Sequence, residues 1–164
     1  MPYMTEAHQA DPVVPMQDSP KPTPAIGNAM RYNIKRVGGR PMTFEGVELG
    51  MAMSFSPEHP YWYEFNIFRK IGGFVLTVKR FHVAEDETDF CRAWEFDTID
   101  QAMDALETYD AAQDVRADKY LPHANASAAE LAAASMQLKA EIADSRTHFS
   151  SLVGEFLHDL GAAT

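Results

Sequence analysis

The chain has 164 residues, 46% of them hydrophobic and 11% aromatic, which suits one modest buried core with appendages. A single cysteine, Cys91, excludes an internal disulfide and a paired-thiol metal site, and no run approaches the ~18 apolar residues of a membrane span, so a soluble cytoplasmic protein is expected. The formal net charge of −10 arises within residues 84–118, where twelve carboxylates stand against Arg92 and Arg116; the remaining residues hold twelve charges of each sign. Such a block repels polyanions and attracts basic partners.

Residues 1–30 contain six of the ten prolines and almost no aromatic side chain, the composition of a disordered, partly extended tail. Arg31, Lys35, Arg36 and Arg40 follow. Four bases without an aromatic platform make direct nucleic-acid binding a weak reading, and pairing with the protein's own carboxylates is the alternative. From Pro41 to Phe96 the pattern alternates with period two, predicting strands at 42–45, 48–56, 61–70, 74–83 and 90–96. Gly72-Gly73 is predicted as a two-residue type I′ hairpin loop, which pairs Ile67 with Val78. One strand face then carries Tyr63, Phe65, Ile67, Phe74, Leu76 and Val78. The other is mixed, and its Trp62, Phe68 and Phe81 are either covered or a partner-binding patch.

A short helix is predicted at 99–109. Thr98 and Gln101 have capping-box spacing, Ile99, Ala102, Met103 and Leu106 form its apolar stripe, and Asp100, Asp104 and Glu107 face away. Residues 111–126 read as a polar linker. Ser127 and Glu130 then open a long helix to about residue 160, with Leu131, Leu138, Ile142, Phe149, Leu152 and Phe156 on a heptad-like seam. That seam predicts either self-association and partner docking or packing against the second face of the sheet. The expected class is therefore α+β: an antiparallel sheet of four or five strands on a short helix within 31–110, plus a long C-terminal helix at 127–160.

Chemistry-bearing patterns are sparse. Glu155 and His158 have the Glu-x-x-His spacing of di-metal bundles, but such a site needs further helices, and no metal or other cofactor is expected. Asp144 and His148 read as a local i, i+4 pair, and Glu85–Asp89 as a solvated loop without the ligand spacing of a calcium site. Cys91 with His82 is the minimum for a thiol and base, yet burial of a small sulfhydryl is far commoner, and Cys91 alternates with Arg92 and Trp94 as an ordinary strand residue does. No catalytic motif is present, so no catalytic residue is assigned and the chain is not expected to be an enzyme.

The run YWYEFNIFRKIGGFVLTVKRFHV through TIDQAMDALETYD resembles the middle of small bacterial proteins of uncharacterised function that are often carried on plasmids and other mobile elements. The resemblance rests on an aromatic strand, a double-glycine turn, a second strand and a short helix, and it implies no activity. The leading expectation is a protein-interaction module, concretely a mobile-element accessory protein that modulates a basic nucleic-acid-binding protein through Asp100, Asp104 and Glu107. The alternatives are a scaffold that self-associates through the terminal helix, and a small-ligand binder or enzyme built on Trp62, Phe68 and Phe81.

Overall fold

The computed structural model describes residues 27–162. The expected tail lies outside the described residues up to position 26; from Gly27 the chain turns into a strand, β1 (Met30–Ile34), which the sequence reading placed partly in the tail. There follow β2 (Met42–Met53), β3 (Tyr61–Lys70), β4 (Gly73–His82), β5 (Phe90–Phe96), α1 (Ile99–Glu107) and α2 (Ala128–Ala162). The strands form one antiparallel meander in the order β1-β2-β3-β4-β5. This is the expected α+β class, and no helix among the described residues is long and apolar enough to cross a membrane.

Two expected strands, 42–45 and 48–56, are a single β2. Gly46 does not punctuate it, because it sits opposite both Met30 and Lys70, and a Cβ there would lie 2.5 Å from the Arg69 carbonyl oxygen. The interruption is a register shift between Glu48 and Gly50, a β-bulge that flips the alternation. Before it, Met42 and Phe44 share a face with Phe68; after it, Gly50 and Ala52 share a face with Ile67 and Phe65. The β3–β4 hairpin pairs Ile67 with Leu76 and Lys70 with Gly73, so the loop is Ile71-Gly72 and not Gly72-Gly73. Gly72 supplies the positive φ (+80°) at the third turn position, as in type II turns. Because the slip is two residues, every side chain keeps its expected face.

On the first face, Tyr61, Tyr63, Phe65, Ile67, Leu76 and Val78 meet Leu106 of α1 and Phe149, Leu152 and Val153 of α2. The terminal helix thus packs beside α1 on the first face, not on the second as one sequence reading proposed. The second face buries Met42, Phe44, Phe68, Val75 and Ala93, with Tyr32 and Ile34 packed against them. The sheet curls to cover this cluster itself: Val37 N–H donates to the Cys91 carbonyl at 2.8 Å and Arg36 Nη1 to the Ala93 carbonyl at 3.0 Å, fastening the β1–β2 loop to β5. Residues 111–126 are more than a linker, since they contain two 3₁₀ turns (Ala111–Asp114 and Ala117–Tyr120) and bury Ala111 and Asp114. Both predicted capping boxes form: Gln101 N–H donates to Thr98 Oγ1 and Thr98 N–H to Gln101 Oε1, and Ser127 and Glu130 reciprocate in the same way.

Candidate functional site

The acidic block divides by what each carboxylate touches. Asp114 is buried and accepts from Tyr109 Oη at 2.7 Å, Tyr63 Oη at 2.9 Å and Arg92 Nε at 3.1 Å. It ties the first 3₁₀ turn to β3 and β5, so its role is architectural. Glu95 pairs with Lys70, Asp110 with Arg146, Asp118 with Arg116 and Glu87 with Lys119, while Asp89 accepts from the His82 backbone N–H at 2.8 Å. Six carboxylates remain whose side chains have no partner among the described residues: Glu85 and Asp86 in the β4–β5 loop, and Asp97, Asp100, Asp104 and Glu107 on α1 and its N-terminal approach.

The α1 set is rigidly presented. Ala102 and Leu106 are fully buried and the helix is capped by Thr98, so its opposite side is held toward solvent, where Asp100, Asp104 and Glu107 are exposed. At 100° per residue these three fall within one narrow stripe. Asp100 in the first turn suits the helix dipole, but Asp104 and Glu107 lie toward the C-terminal end, where no basic residue compensates them. Spacings of four and three residues also set like charges beside one another. Helix stability alone would select against this arrangement.

The expected aromatic patch is divided. Trp62 stacks on Phe81 with centroids 5.2 Å apart, with Phe55 edge-on, at one end of the second face. Phe68 lies in the other cluster, against Tyr32 and Phe44. Of the helix seam, Phe149 and Leu152 are buried, Phe156 packs edge-on to Phe65 at 4.9 Å, Leu138 and Ile142 are half-buried, and Leu131 is 51% exposed. Among the described residues Arg31, Lys35 and Arg40 meet no carboxylate, and Arg36 bonds only carbonyl oxygens, contrary to the expected pairing. Cys91 pairs across the sheet with Lys79 while His82 points to the opposite face, so they form no thiol–base pair; burial pushes the Cys91 thiol up.

Sequence reasoning missed a polar cluster on the first face. Asp144 does not bond His148 but accepts from Tyr61 Oη at 2.5 Å, and His148 Nε2 lies 2.6 Å from Ser54 Oγ. Met53, His59, Thr147, Ser151 and Glu155 line an open cleft of about 450 Å³ beside them. The Ser54–His148 pair superficially resembles a nucleophile and base. However, Ser54 Oγ already accepts from the Tyr63 N–H at 2.9 Å and the Ser54 N–H donates to the Tyr63 carbonyl, so the amide that would stabilise an oxyanion is engaged. The pair fastens the β2–β3 connection to α2. Burial, then the neighbouring His59, lower the His148 pKa and favour its neutral form. Arg80, 3% exposed, lies 3.9 Å from the Tyr61 ring centroid and bonds Ser145 and Glu141. No His, Cys, Asp or Glu group able to hold a metal occurs among the described residues, and Glu155 and His158 are exposed. No protein-family model matches the chain, and comparisons with curated proteins and with solved structures find no match.

Proposed function

We propose that the chain is a protein-interaction module whose binding surface is the stripe Asp100, Asp104 and Glu107, extended by Asp97 at the N-terminal approach. One observation carries this reading: these carboxylates lack partners among the described residues, and Asp104 and Glu107 oppose the stability of their own helix, whereas much of the same acidic block is paired. A basic protein surface supplies the missing counter-charge. In its concrete form the partner is a basic nucleic-acid-binding protein, and this chain, as a mobile-element accessory protein, competes with or modulates its hold on nucleic acid. The test is affinity capture from the native cell with the full chain and with Asp100→Lys/Asp104→Lys/Glu107→Lys as baits, then titration of the captured protein at several salt concentrations. Lysines at 104 and 107 suit the dipole and offset the unfavourable lysine at 100 in the first turn, and circular dichroism checks that the variant retains α1. Reversal is expected to weaken binding at least about tenfold and to flatten its salt dependence. An unchanged affinity and slope would reduce the stripe to a solvated face.

A further inference from the structure

The sheet has an open edge that the acidic stripe does not use. β1 pairs with β2 only from Met30 opposite Gly46 to Ile34 opposite Met42, so Val47–Met53 has β3 on one side and no strand on the other among the described residues. The Ser54 N–H to Tyr63 carbonyl bond sets the phase of this segment. Gly50, Ala52 and Ser54 direct their backbone groups at β3, and the N–H and C=O of Met51 and Met53 point outward. Leu49, Met51, Met53 and Phe55 are 47%, 51%, 50% and 56% exposed. From 49 to 55 there is no charged residue and no proline, the devices that ordinarily blunt a strand edge; the bulge at Glu48–Gly50 disturbs only one end. Immediately before β1, Gly27 and Asn28 form a turn, with Asn28 at φ +61°.

We propose that a second copy of this chain occupies the edge, with β2 pairing antiparallel to β2 about a two-fold axis through Ala52. That register sets Met51 of one copy opposite Met53 of the other and Leu49 opposite Phe55. The outward backbone groups of Met51 and Met53 then satisfy one another, the opposed side chains are apolar except for Ser54 against Gly50, and no like charges meet. The two meanders become one continuous sheet. Helix α1, which carries the acidic stripe on its outer side, packs on β4 and β5 at the far side of the meander, so the stripe stays open in both copies.

The test uses the full chain. Sedimentation equilibrium is expected to show a species of twice 18.3 kDa. Met51→Lys/Met53→Lys, which sets lysine against lysine at both hydrogen-bonded pairs, is expected to raise the dissociation constant at least about tenfold while circular dichroism confirms the fold. Residues facing each other at a non-hydrogen-bonded pair have Cα atoms ~4.5 Å apart, within disulfide reach. Ala52→Cys in a Cys91→Ser background is therefore expected to cross-link under oxidation, and Ser150→Cys in that background is not. A monomer at every concentration up to about 200 µM would overturn the proposal, including one whose edge takes up an unrelated extended apolar peptide. So would a dimer indifferent to the lysine pair in which Ala52→Cys forms no cross-link, which would move self-association to the exposed N-terminal half of α2.

Discussion

Asp114 shows how one residue can be acidic by composition and yet be lost to the surface. Its two oxygens accept from three donors, the single Tyr109 O–H shared between both oxygens, the Tyr63 O–H and Arg92 Nε, in a site the solvent does not reach. Burial first, and the adjacent carboxylate second, push the Tyr63 and Tyr109 phenols well above their usual range; burial and the bond to Asp144 do the same for Tyr61. The folded chain therefore keeps these protons at pH values where the unfolded chain releases them near pH 10. A raised folded-state pKa leaves stability intact below the unfolded value and erodes it as pH climbs above. Alkaline unfolding is expected to begin above about pH 10, with the phenolate absorbance of these tyrosines rising together with the loss of circular dichroism. Titration of all three while the far-ultraviolet signal holds steady would contradict the burial-based account.

The same helix can be core along one half and surface along the other, and α2 is built in that way. Phe149, Leu152 and Val153 are buried under the sheet, whereas Leu131, on the same seam, is exposed. Phe149→Ala is expected to cost about 3–5 kcal/mol and Leu131→Ala less than about 0.5 kcal/mol, as read from urea denaturation. Comparable losses at both positions would mean the N-terminal turns are covered in solution. This split marks how far sequence reasoning reaches. The seam, the two capping boxes, both faces of the β3–β4 hairpin and the α+β class were legible, because periodicity and caps act over a few residues. Which face α2 would cover was not, since a seam specifies an apolar stripe and not its partner. β1 was missed because five residues beside a proline-rich segment carry little pattern, and Gly46 misled because its role is a close approach to Arg69 that only the assembled sheet shows. At the candidate site, Asp100, Asp104 and Glu107 were identified from helical spacing, but the pairing of their neighbours was not, because Lys70, Arg146 and Arg92 reach those acids from other elements.

At the scale of the whole molecule, net charge does not say where within the acidic block a partner meets an uncompensated field. Pairing removes much of the block, and the uncompensated charge concentrates on the α1 stripe and its approach, with Glu85 and Asp86 in a loop. If those side chains were placed for solubility alone, spreading them would serve as well, whereas alignment along one short helix carries a cost. Asp104→Asn/Glu107→Gln relieves the unfavourable dipole and the like-charge spacing, so it is expected to raise the unfolding midpoint by about 2 °C at low salt. The Debye length falls to ~3 Å in 1 M salt, so the gain should fade there as screening relieves the native stripe as well. Thermal melts of both proteins across a sodium chloride series measure this directly. A variant less stable than the native chain would show that the carboxylates hold α1 in place, and the stripe would then have a structural reason to exist.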